Sequence, residues 1–276
     1  MYPKRLTIQL FIILIFSFSI SLAGLRPEEY MPDSIKAINN PADLQPYLEN
    51  PDSPNRWWAV ERMGQIGSSE NIPQLMEIFE NTPFDPVIIT ADRGSDIKDR
   101  VILSIGEIGG PEAEAALFGI LDKLDIHNIR ALDSLDIITY SCHAFAEMSS
   151  FNALNWLNSI YADTLLKFGY RIGALKAIYL IELTRPEYSS AKDTVEYLLD
   201  KIANNYSSSI KQLEDFIITE AAAYTLCEIS SPAIYQELSL QSENLSEDIR
   251  QNRHFKYLMS TVKAHSDSPH KRNWRW

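Results

Sequence analysis

One pattern recurs along this chain and limits what it can fold into. RMGQIGS at 62–68 returns as SIGEIGG at 104–110, AFAEMSS at 144–150, YLIELTR at 179–185 and TLCEISS at 225–231. Each copy has an apolar residue, a mostly small one, Gln or Glu, a second apolar residue and a small or polar stop. The central positions are Gly64, Gly106, Ala146, Ile181 and Cys227, spaced 42, 40, 35 and 46 residues apart. A period near 40 residues marks a stacked repeat array, in which each unit buries its apolar face only against its neighbours.

Counted from the centre, apolar residues fall at −4 (Val60, Ile102, Cys142, Ala177, Ala223), −1 (Met63, Ile105, Phe145, Leu180, Leu226) and +2 (Ile66, Ile108, Met148, Leu183, Ile229). Steps of three place these on one face of a helix. Gly64, Gly106 and Ala146 flank that face. Mid-helix glycine costs up to about 1 kcal/mol against alanine, and close approach of a neighbouring helix is the expected compensation. The Gln or Glu at +1 (Gln65, Glu107, Glu147, Glu182, Glu228) lies on the far side of the helical wheel and is expected to face solvent.

After each stop comes a turn and a second apolar-periodic stretch: NIPQLMEIFEN, PEAEAALFGILDKL, FNALNWLNSIY, YSSAKDTVEYLLDKI and PAIYQELSL. Pro111 and Pro232 suit first helical positions, where a missing N–H is not needed. The unit is therefore helix, turn, helix. NNPADLQPYLEN (39–50) reads as a lone second helix, and the chain divides into an N-terminal segment with this cap (24–55), an array (56–245), a capping helix (246–264) and a disordered basic tail (265–276).

These units resemble HEAT repeats, in particular the short type of the phycobilisome lyases, whose first helices end in an LGxIG-like turn. MGQIG and IGEIG match that turn closely, FAEMS and LCEIS partly, and LIELT least. The resemblance implies an all-α fold, a right-handed superhelical solenoid of about five helix-turn-helix repeats with capping helices. It would set first helices on the convex side and second helices on the concave side. It concerns packing positions and carries no lyase activity across.

The N-terminus MYPKRLTIQLFIILIFSFSISLAG has a charged, an apolar and a small-residue region in the order of a secretory signal peptide, with cleavage expected near Ala23/Gly24. The alternative is a retained anchor, since about 18 apolar residues can just span a bilayer. Cleavage leaves 253 of 276 residues, and loss of Lys4 and Arg5 takes the formal charge from −12 to −14. Nucleic acid and anionic lipid need clustered Lys and Arg, so neither is an expected partner, and no membrane insertion is expected after cleavage. Two cysteines do not make a disulfide framework. Cys142 and Cys227 lie two units apart and are expected to be buried thiols, not bonded to each other.

No chemistry stands out. A phosphate loop needs its glycines at the start of a helix, whereas these end one. No His-Glu pair and no HExxH occurs, adjacent Cys142 and His143 point about 100° apart on a helix, and no nucleophile elbow is found. Catalytic residues, metal ligands and cofactors are therefore expected to be none. The expected function is that of a secreted or periplasmic scaffold binding a protein or peptide, with a structural subunit of an envelope or secretion assembly, or an enzyme subunit, as the alternatives. The candidate binding residues lie on the second helices: Gln74, Glu77, Glu114, Phe118, Asn155, Asn158, Lys192 and Glu196. Their acidic bias favours a partner with a basic segment. Two stretches exceed a minimal connector, ENTPFDPVIITADRGSD (80–96) and LDIHNIRALDSLD (124–136).

Overall fold

In the computed structural model, residues 31–82, 97–124, 133–205 and 213–267 are described, with the side chains of 133–136 set aside. Among them every regular element is helical. The expected leader, most of the 80–96 and 124–136 stretches, and the tail from 268 onward lie outside these residues.

The five recurrent motifs close five long helices: α3 (Arg56–Ile66), α5 (Ile97–Ile108), α7 (Asp133–Glu147), α9 (Phe168–Glu182) and α11 (Leu213–Glu228). Each is followed by a second helix: α4 (Ile72–Asn81), α6 (Gly110–Leu121), α8 (Leu154–Ala162), α10 (Ala191–Asn205) and α12 (Pro232–Ser242). The stop residues have a local task. Ser150 and Ser231 accept hydrogen bonds from the backbone N–H of Ala153 and Ile234, both at 3.2 Å, and Ser68 forms a reciprocal capping box with Asn71. These bonds satisfy amides that a helix start leaves unpaired. Between α5 and α6 the turn requires left-handed backbone, with φ of 68° at Gly109 and 86° at Gly110. The next unit makes the same kind of turn with Ser149 at φ 54°, where glycine would be less strained.

First helices pack in sequence, α3 on α5, α5 on α7, α7 on α9 and α9 on α11. The closest approach is set by the glycines. A Cβ added at Gly64 would lie 2.8 Å from Ser104 Cα, and one at Gly106 would lie 2.8 Å from Ala144 Cα. Ordinary carbon–carbon contact is about 3.5–4.0 Å, so the missing methyl is what lets these backbones meet. Both contacts join a central residue to the position two before the centre of the next unit, where small Ser104 and Ala144 stand.

The −4 and −1 rows hold for Val60, Met63, Ile102, Ile105, Cys142, Phe145 and Leu226, all buried. In the fourth unit Ala177 at −4 is buried as expected, but the −1 position slips one residue later. Ile178 and Ile181 are buried, while Leu180 is only half-buried. Both registers of YLIEL are apolar, and packing selects the one that puts Ile181 inside.

Second helices α4, α8 and α10 pack chiefly against the first helix of the following unit, α5, α9 and α11 respectively. Arg171, buried at the start of α9, shows how such a joint is fastened. Its Nε donates to Tyr161 O at 2.7 Å, and its guanidinium meets Glu214 Oε2 at 2.6 Å. The N-terminal cap is two short helices, α1 (Asp33–Lys36) and α2 (Gln45–Leu48), with a 3-10 turn at Pro41–Leu44 between them. The C-terminal cap is broken at Asn252 into α13 (Glu247–Gln251) and α14 (Arg253–Asp267). Residues 265–267 therefore belong to a helix, not to the disordered tail expected from 265. Ser266 is buried against the fold.

Candidate functional site

The residues expected to form a binding surface divide into two groups. Glu77, Asn155, Asn158, Lys192 and Glu196 are exposed on α4, α8 and α10. The other three are half-buried and bridge to neighbouring parts of the array. Glu114 accepts hydrogen bonds from Ser150 Oγ and from Asn152 Nδ2, so it ties α6 to the turn of the next unit. Phe118 packs on Phe145 with ring centroids 5.0 Å apart, and Phe145 in turn meets Trp156 at 5.6 Å. Gln74 donates to Gln45 of the N-terminal cap at 2.6 Å. A phase error of one residue on a second helix is enough to exchange an outward residue for one that faces the next unit.

The +1 row departs further from expectation. Glu147 is exposed, but Glu107 and Glu228 are 16 % exposed at the side chain and form ion pairs. Glu182 accepts the Tyr197 hydroxyl, and Gln65 bridges Arg62 and Glu61. The first helices are packed on several sides, so a residue turned away from one core row meets another helix instead of water. In α5, every residue from Asp99 to Gly106 is buried.

Those helices carry buried charge that hydrophobic periodicity did not reveal. Glu61 on α3 and Arg100 on α5 are 0 % and 1 % exposed and meet at 2.6 Å. Arg100 also reaches Glu107 at 3.2 Å and donates from Nε to Ser104 Oγ at 3.3 Å; Ser104 in turn donates to Val60 O at 2.9 Å. Burial pulls the Arg100 guanidinium below its ordinary range, and Glu61 opposes that shift. Further along, Lys176 on α9 pairs with Glu228 on α11. Burial raises the Glu228 carboxyl, but Lys176 and His143 outweigh it and leave the group below its ordinary value. His143 on α7 is pushed down to about 4, by burial first and then by Lys176 and Arg100, against the pull of Glu228. Glu220, buried on α11, is pushed up to about 7 by burial.

Both cysteines are free. Cys142 is buried and Cys227 half-buried, and burial pushes both thiols up to about 12, which makes them poor nucleophiles at neutral pH. Among the described residues no group of three or more His, Cys, Asp or Glu is placed to hold a metal. No described helix is long and apolar enough to cross a membrane.

Residues 56–81, which are α3, its turn and α4, match the family model of the PBS lyase HEAT-like repeat. This is the family that the MGQIG and IGEIG turns resemble, and the unit matched is the one in which Gly64 admits α5. Comparison with curated proteins gave no significant match.

Proposed function

We propose that this chain is an exported, non-catalytic scaffold, a right-handed superhelical solenoid of about five HEAT-like units that binds a protein or peptide along its second helices. The observation that carries this reading is a division of labour between the two helix sets. First helices spend their charged groups on one another, as Glu61, Arg100, Glu107, Lys176 and Glu228 do. Second helices, Glu114 aside, keep most of theirs in water: Glu77, Glu112, Asp193, Glu196 and Asp200 are exposed, accompanied by Lys192. A row of solvated acids on a repeated element suits a basic protein segment better than a small-molecule pocket, which needs concave apolar walls. Association with such a partner weakens as salt rises.

The test is affinity capture of the exported protein from its own envelope fraction at low and at moderate salt. A partner with a basic segment, retained at low salt and released as salt rises, is the expected result. Capture that is indifferent to salt, or that brings down only a small molecule, would overturn the reading.

A further inference from the structure

One pair of positions on successive first helices recurs with different chemistry. Glu61, two residues before Met63, meets Arg100, five residues before Ile105 on the next helix. The same two positions in the third and fourth units hold His143, two before Phe145, and Lys176, five before Ile181. An acid meets a base in the first case, and in the second an imidazole lies within the field of a base. The groups that act on His143 come from three helices: Arg100 on α5, Lys176 on α9 and Glu228 on α11. Arg100 is already paired with Glu61 and Glu107, and Lys176 with Glu228. From α6, Glu114 is spent on Ser150 and Asn152. On α7 itself, Glu147 is exposed, and Tyr140 acts on Arg100. The buried Nδ1 of His143 has no hydrogen-bond partner among the described residues. An imidazolium at this site would sit half-buried among charges already paired with one another, with no acceptor for its Nδ1 proton among the described residues.

We propose that the seam between α7 and α9 is an acid-released joint, in which protonation of His143 loosens these two helices while the Glu61–Arg100 seam between α3 and α5 stays closed. The sign follows from linkage. The folded imidazole sits at about 4, and an imidazole freed by opening titrates near its ordinary 6.5 or so. The opened form therefore binds the proton first. The seam is tightest above about pH 6.5 and weakens as pH falls towards about 4. With those two values the opening equilibrium rises about thirtyfold between pH 7.5 and 5. The α3–α5 seam closes on the Glu61–Arg100 pair, and neither helix carries a histidine, so it is the reference for this interval.

Cys142, buried beside His143 and within the field of Lys176, reports the opening. The experiment measures its reaction with 4,4′-dithiodipyridine, which remains reactive towards thiols in acid, with each rate normalised to a free thiol at the same pH. Labelled peptides separate Cys142 from Cys227. In the wild type, normalised labelling of Cys142 rises about thirtyfold from pH 7.5 to 5. In His143→Gln and His143→Met, two neutral replacements of different polarity, it changes less than about threefold. Glu220 is present in every variant, so its own titration cancels in the comparison. Amide exchange in α3 and α5, corrected for intrinsic pH dependence, stays constant throughout. An equal acid response in a variant that retains native helicity, or a flat wild-type response, overturns the proposal, as does loss of protection in α3 and α5 in parallel with α7.

Discussion

Replacing Gly106 by alanine tests the packing at its tightest point. The new methyl would lie 2.7 Å from Ala144 Cβ and 2.8 Å from Ala144 Cα, about 0.7–1.3 Å inside ordinary carbon contact. Neither atom can rotate away, so α5 and α7 must separate. Overpacking of this kind costs typically about 1–3 kcal/mol, and an obstruction made of backbone belongs at the upper end. Against this, alanine gains about 1 kcal/mol of helix propensity over glycine. The expected net loss is about 2 kcal/mol, read from urea denaturation followed by circular dichroism. Gly119→Ala on α6 is the contrast, because a Cβ there meets nothing within 4 Å. It should stabilise by up to about 1 kcal/mol. If Gly106→Ala is neutral or stabilising alongside Gly119→Ala, close approach is not what the recurrent glycine provides.

Three further outcomes follow from the same structure. Arg100→Met, which leaves Glu61 buried without its base, should destabilise by about 3–5 kcal/mol in urea, and adding Glu61→Leu should recover most of that loss. Ser149→Gly, which relieves left-handed backbone at φ 54°, should raise the denaturation midpoint by the equivalent of about 1 kcal/mol. Glu220, raised to about 7 when folded, contributes stability that is fully present below about pH 4.5 and lost as pH rises through about 7. Glu220→Gln should accordingly match the wild type near pH 4.5 and exceed it by about 3 kcal/mol at pH 8, as measured by thermal or urea melts at the two pH values.

Much of the helical framework was legible because it depends on short-range periodicity. The −4 and −1 rows name Val60, Met63, Ile102, Ile105 and Phe145, and all are buried. The stops also read correctly as turns, since Ser68, Ser150 and Ser231 cap the helices that follow. The slip at YLIEL was not legible, because Leu180 and Ile181 are equally apolar and only neighbouring helices distinguish them. Solvation of the +1 acids was inferred from a wheel with one buried face, whereas a first helix in a stack has several. Arg100 and Lys176 carried a signal, one a base at the head of an apolar run and the other a base within one, DRVILSIG and ALKAIYLI. Glu114 and Phe118 show the same limit on the second helices. A side chain one position from the outward row reaches across to the next unit.

The most direct test of the scaffold reading compares two charge-reversed proteins with the wild type in quantitative capture of the same partner. In one, Glu77→Lys and Glu196→Lys alter exposed residues of α4 and α10. In the other, Glu70→Lys and Glu187→Lys alter exposed residues in the turns. None of the four lies in the buried rows, so both proteins should melt within about 0.5 kcal/mol of the wild type. The second-helix variant should lose at least about tenfold in capture while the turn variant retains it. Undiminished capture by the second-helix variant, or equal loss in both, would contradict binding along the second helices.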